Sequence, residues 1–220
     1  MKTMFVCAAA IVMAATAGAA QAADLSRPLP PAPFVSPLYN WTGFYAGGNL
    51  GGGWTDATLT DNLTAMSVGV PASGFVGGGQ LGFNYQLGGF VVGAEWMFDG
   101  TALRSSHTAG ALSGSASTDW VTTLAARFGW AADNWLFYAK AGGGWAQTHA
   151  TLTNAITGLQ ATGSGASPGW LLGAGIEYGI TRNWTTKIEY DYLGLDSWNT
   201  GALTVKPNIQ MLTVGFNFKF

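Results

Sequence analysis

Seven charged side chains stand at alternate positions of otherwise apolar, strand-like segments: Glu95, Arg127, Lys140, Glu177, Lys187, Glu189 and Lys219. Asp99, Asp119 and Asp191 hold equivalent inward positions nearer the outer rim of the same segments. Both signs occur in similar number, and two kinds of chemistry suit them. Enclosed in a narrow interior, such charges must pair and hydrogen-bond, since an ion left unpaired there costs on the order of several kcal/mol. Along a wetter interior, kept open by inward-facing glycines, they would line a path for ions or small solutes. An interior bounded by eight strands is just wide enough for side chains to fill it, which favours a salt-bridged plug.

The remaining reactive groups are few. His107 and His149 are the only imidazoles, and both fall in polar connecting segments. Ser105 and Ser106 precede His107, but a hydrolytic triad needs nucleophile, base and carboxylate in mutual reach, and no acidic partner accompanies them on the same strand. Two isolated histidines do not make a zinc site. Gly77-Gly78-Gly79-Gln80-Leu81-Gly82 has the form of a dinucleotide fingerprint. That fingerprint must follow a strand and open a helix, whereas these glycines lie inside one strand pattern and lead to another. No catalytic residue, metal site or cofactor is therefore expected.

The elements that position the charges are written most clearly over residues 74–99. Phe75, Gly77, Gly79, Leu81, Phe83, Tyr85 and Leu87 alternate with Val76, Gly78, Gln80, Gly82, Asn84 and Gln86. After Gly88-Gly89 the alternation resumes, with Phe90, Val92, Ala94, Trp96 and Phe98 on one face and Val91, Gly93, Glu95, Met97 and Asp99 on the other. Period-2 alternation is the signature of a strand, because successive side chains point to opposite faces. The polar face decides what covers the apolar one. It carries Gly, Asn, Gln and single carboxylates instead of the Lys and Glu of a water-facing sheet, as in a transmembrane barrel with apolar side chains out and polar ones in.

Composition agrees. Charged residues make up 9% of the 220, against about a quarter in ordinary soluble domains, too few to clothe a water-facing surface. Mean hydropathy is only +0.22, because lipid-facing and lumen-facing residues average out.

Residues 1–22 have the form of an export signal, with Lys2, an apolar stretch from Met4 to about Ala17, and Ala20-Gln21-Ala22 as the cleavage site. The single cysteine, Cys7, leaves with it, and removal of Lys2 moves the formal charge from -2 to -3. Such a balance gives no nucleic-acid footprint. Residues 23–40 contain Pro28, Pro30, Pro31, Pro33 and Pro37 and should form an extended, polyproline-like periplasmic segment. It either simply leads to the barrel or touches the cell wall or a periplasmic partner.

Residues 41–220 then divide into eight strands of about ten residues, the length a tilted strand needs to cross a bilayer. Polar stretches at 55–73, 100–117, 146–168 and 194–208 are expected as long loops, alternating with tight turns after strands two, four and six. Short turns belong in the periplasm and long loops outside, so both termini should be periplasmic. The aromatics sort into two girdles on this topology. Phe44, Tyr85, Phe90, Trp130, Trp135, Tyr178, Trp184 and Phe220 lie at the periplasmic edge, and Trp54, Phe75, Trp96, Trp120, Trp145, Trp170 and Tyr192 at the other.

Trp41-Thr42-Gly43-Phe44-Tyr45-Ala46-Gly47-Gly48, the eight-strand layout and the ending Thr213-Val214-Gly215-Phe216-Asn217-Phe218-Lys219-Phe220 resemble the outer-membrane immunogenic proteins of alphaproteobacteria, small OmpA-like barrels of the porin family. The resemblance covers essentially the whole mature chain. It implies an abundant surface protein contributing to envelope integrity, set among outer-membrane lipid and lipopolysaccharide and exposed to host or environment through its loops. Phe220 resembles the terminal signal read by the barrel-assembly machinery. The globular peptidoglycan-binding domain of larger OmpA proteins is not expected here, so any wall attachment would come from the proline-rich segment. The expectation is an all-β, eight-stranded, up-and-down barrel of the outer membrane with a structural or surface role. A small low-conductance porin and an adhesin acting through the loops are the alternatives.

Overall fold

The computed structural model describes residues 39–220 apart from 63, 64, 66, 200 and 202. The expected signal segment and the proline-rich segment up to residue 38 lie outside the described residues. Eight long strands form the wall: β1 (Gly43–Asp61), β2 (Ser67–Leu87), β3 (Phe90–Ala109), β4 (Leu112–Ala132), β5 (Trp135–Asn154), β6 (Leu159–Gly179), β7 (Trp184–Leu195) and β10 (Asn208–Lys219). Two short strands, β8 (Trp198–Asn199) and β9 (Leu203–Lys206), occupy the connection between β7 and β10.

Each wall strand is antiparallel to its neighbours, and β10 pairs with both β7 and β1. Tyr45 opposes Lys219 and Trp54 opposes Gln210, so the sheet closes into a ring. Closure is what lipid demands, since hydrocarbon offers no partner to an open backbone edge. Alternation places the side chains as their chemistry requires. On β3, Phe90, Trp96 and Phe98 are exposed on the outer face, while Val91, Glu95, Met97 and Asp99 are buried inside. The turns carry the residues their backbones require: Gly88 has φ 62° between β2 and β3, and Asp133 has φ 51° between β4 and β5, a region open mainly to Gly, Asn and Asp. Aromatic pairs ring the wall at both levels, with Trp135 and Tyr178 centred 4.6 Å apart at the turn end and Trp170 and Tyr192 5.2 Å apart at the other.

Two expectations are corrected. The stretches 55–73, 100–117 and 146–168 are mostly paired strand, and the first six strands run to 19–21 residues where about ten were expected. Beyond the lipid, the outward face no longer needs large apolar side chains, so the period-2 signal fades although the backbone ladder continues. The β1–β2 pair reaches Thr60 opposite Ser67, and β3–β4 reaches Ala109 opposite Leu112. The second correction concerns Asp119. The β4–β5 register shifts between Thr118 and Trp120, a bulge that inserts an extra residue and turns Asp119 from the expected inward position to the outside, with its side chain 52% exposed.

Close strand contact depends on particular glycines. A Cβ on Gly142 would lie 2.0 Å from the Leu124 carbonyl oxygen and 2.6 Å from the Ala125 Cα. Its neighbour Gly143 points the other way, where the nearest atom would be the Gly169 carbonyl oxygen at 3.5 Å. Gly142→Ala should therefore destabilise the barrel by about 1–3 kcal/mol, the usual cost of overpacking, with Gly143→Ala close to neutral. Urea unfolding of the two refolded variants checks this; equal midpoints would show that the wall yields freely at Gly142.

Candidate functional site

The inward charges meet in the lumen because their strands are brought into register. Glu95 of β3 is the hub. Its carboxylate lies 3.0 Å from Lys187 Nζ, 3.4 Å from Lys140 Nζ and 3.4 Å from Arg127 Nη1, and accepts the Tyr45 hydroxyl at 2.9 Å. Four other strands thus converge on one side chain. Arg127 Nη2 pairs with Glu177 at 2.8 Å, and its guanidinium lies over the Tyr138 ring with 3.9 Å to the centroid. Glu177 also accepts hydrogen bonds from Thr185 and Asn217. Lys140 reaches Glu189 at 2.8 Å and Asp191 at 2.9 Å, while Lys187 lies 3.2 Å from Glu189, which also accepts the Tyr138 hydroxyl at 2.6 Å. These ionic side chains are at most 3% exposed.

Six of the seven charges singled out in the sequence therefore form one connected set. Lys219 does not join it. It stands at the mouth of the barrel, one residue from the C-terminus, where its ammonium contacts the Asn40 carbonyl and lies 4.8 Å from the centre of the Tyr39 ring.

The tyrosines, amides and hydroxyls of the network were not singled out in the sequence, although Tyr45, Asn49, Gln80 and Asn217 all occupy inward positions of their strands. Asn49 donates to both Gln80 and Asp99 at 2.9 Å, and Gln80 donates to Asn217 at 2.8 Å, linking the charge set to the upper lumen.

Apolar layers lie on either side. Toward the long extensions, level with Asp99 and Asp191 and one inward step beyond them, Val76, Val121, Leu171, Leu193, Ile209 and Met211 are buried in contact as one cluster, each at most 1% exposed. Toward the short turns, Tyr39 and Trp41 enter the mouth and pack with Val91, Leu136 and Tyr138. The Trp41 backbone N–H donates to Gln86 Oε1 at 2.9 Å, and Gln86 N–H donates to the Thr42 hydroxyl at 3.0 Å. Gly179 leaves room for this insertion, since a Cβ there would meet the Tyr39 ring at 2.5 Å. Burial, reinforced by the Glu177 charge, pushes the Tyr39 hydroxyl up to about 12, so it stays neutral where it lies. A charged middle layer held between two apolar ones can fix register and exclude water.

The histidines lie elsewhere. His107 is exposed on β3 opposite Gly114. His149 faces outward on β5, with Nε2 3.1 Å from the Asp119 carboxylate that the bulge turns toward it. Phe220 is exposed at the turn end, its backbone N–H donating to the Phe44 carbonyl at 2.9 Å.

The chain matches the outer membrane protein beta-barrel domain family over residues 6–220. It is similar to the 31 kDa outer-membrane immunogenic protein of Brucella melitensis, with 38% identity over 234 residues covering 96% of this chain and 98% of that one. The 25 kDa outer-membrane immunogenic protein of Brucella canis is 29% identical over 225 residues, covering 100% and 99% respectively. Among solved structures, Neisserial surface protein A is similar with a TM-score of 0.46 and 17% identity, over 81% of this chain and 98% of that one.

Proposed function

The chain belongs to the outer membrane β-barrel family, and from that premise we propose that it is a non-enzymatic envelope barrel whose lumen is a structural plug and whose function lies on its outward surfaces. The observation that carries this reading is the layering of the lumen, with the Glu95-centred ion network enclosed between the Val76–Met211 cluster and the Trp41 insertion. An ion crossing the barrel would have to break paired charges and enter two apolar layers, each a desolvation cost.

In this reading both termini are periplasmic and the long strand extensions stand outside the cell, following the usual placement of short and long connections in such barrels. Phe220, exposed at the turn end, is offered to the barrel-assembly machinery. The lipid-facing wall meets outer-membrane lipid and lipopolysaccharide, and the proline-rich segment is available to a periplasmic partner. A host-facing role, as the word immunogenic in the relatives' names suggests, has support in the extensions themselves. They are paired strands, and so present a firm polar surface to a host partner, with Ile156 76% exposed near the β5–β6 tip.

Conductance in a planar bilayer tests the plug. Refolded protein that passes a gel-shift check for folding should give no discrete steps. Reproducible steps from the folded wild type would replace this reading with that of a small porin, and Lys140→Met should then change their size.

A further inference from the structure

Beyond the lumen, one outward-facing depression gathers an arginine, a histidine and several hydroxyls. Arg104 of β3 opposes Ser117 of β4, which opposes His149 of β5. The next row outward is Ser106, Ser115 and Thr151. Neighbouring strands are about 4.8 Å apart, so the arginine and the histidine stand about 10 Å apart with only a serine between them. The result is a depression of about 280 Å³ with hydroxyls on its floor and the two nitrogen-bearing side chains at its sides. Arg104 is exposed, and the His149 side chain is 48% exposed.

Its position on the wall is informative. His149 lies four residues beyond Trp145, and Ser117 three beyond Trp120, on the extension side of the aromatic girdle. At about 3.3 Å per residue and a tilt of about 40°, four residues carry the site about 10 Å past the girdle, within reach of the saccharide head of a glycolipid whose acyl chains end at the girdle. Arginine suits phosphate because its planar fork donates two parallel hydrogen bonds, and serine and threonine hydroxyls supply further donors. The one nearby carboxylate, Asp119, is engaged by His149 and does not line the depression.

We propose that the Arg104–Ser117–His149 depression binds a phosphomonoester on the headgroup of an outer-leaflet glycolipid, fastening the barrel to the lipid around it. This rests on the orientation proposed above, with the extensions outside. The bulge at Asp119 then has a role, since the added residue brings a carboxylate to Nε2 and holds the imidazole at the edge of the site.

The test uses full-length refolded protein in detergent, with native mass spectrometry of the protein after incubation with lipid A, with its fully dephosphorylated form, or with inorganic phosphate. Wild type should retain lipid A and not the dephosphorylated lipid, and inorganic phosphate should not displace it at equal concentration. Arg104→Ala should lower retention about tenfold, the loss expected for one charge-assisted hydrogen-bonding group. His149→Ala should lower it less, and Arg182→Ala, at the opposite end, not at all. Equal retention by wild type and Arg104→Ala, or equal binding of the dephosphorylated lipid, would overturn the site. Full displacement by inorganic phosphate would overturn the lipid as its ligand. Orientation is read separately: an Ile156→Cys variant should react with an impermeant maleimide in intact cells. Failure to label with lipid A retention still sensitive to Arg104 would refute the orientation and not the site.

Discussion

Arg127→Met should lower the unfolding free energy of the barrel by about 3–5 kcal/mol, the cost of breaking a buried ion pair by removing one partner. Methionine fills much of the same volume, so the loss comes mainly from the groups left behind. Glu177 has Arg127 as its cationic partner at 2.8 Å, and Glu95 loses one of three cations. The Tyr138 ring also loses the guanidinium lying 3.9 Å from its centre. Adding Glu177→Gln removes the abandoned charge while keeping an amide able to meet Thr185 and Asn217, and the double variant should recover part of the lost stability. Equilibrium urea unfolding of the refolded variants measures both. A cost for Arg127→Met below about 1 kcal/mol, the range of exposed pairs, would show that water reaches the network and that the lumen is not sealed.

Removing the mouth insertion should cost as much by a different route. Trp41 is 1% exposed and packs with Tyr39, Val91, Leu136 and Tyr138, and deleting a large buried aromatic side chain typically costs about 3–5 kcal/mol. Trp41→Ala should therefore shift urea unfolding by that amount. Yet it should not make the barrel conduct, because the apolar cluster around Leu193 and Met211 still closes the other end and the ion pairs between remain intact. Planar-bilayer recording of this variant separates the two layers. Steady current through folded Trp41→Ala, with the wild type silent, would make Trp41 the sole barrier and remove the second seal.

The wall itself was legible in the amino-acid sequence because lipid and lumen are different solvents. A strand between them must alternate, and the alternation of Phe90, Val92, Ala94, Trp96 and Phe98 with Val91, Gly93, Glu95, Met97 and Asp99 records both sides. The same contrast sorts the aromatics into two girdles and places Glu95, Arg127, Lys140, Glu177, Lys187 and Glu189 inside. Where the contrast ends, so does the signal. Strand continues through 55–61, 101–109 and 146–154, but the outward face there leaves the lipid, and Thr, Ser, Ala and Gly carry no period to read.

The tertiary structure decided what depends on register between strands distant in sequence. Which cation meets which carboxylate follows from the register of every pairing from β3 to β7, since Glu95 meets Lys187, Arg127 meets Glu177 and Lys140 meets Glu189 across non-adjacent strands. A one-residue bulge reversed Asp119 and gave it to His149, and closure of the ring made a cavity into which Trp41 could fold. Alternation is a local consequence of two solvents, whereas the partners of a buried charge are set by neighbours that only the closed barrel brings together.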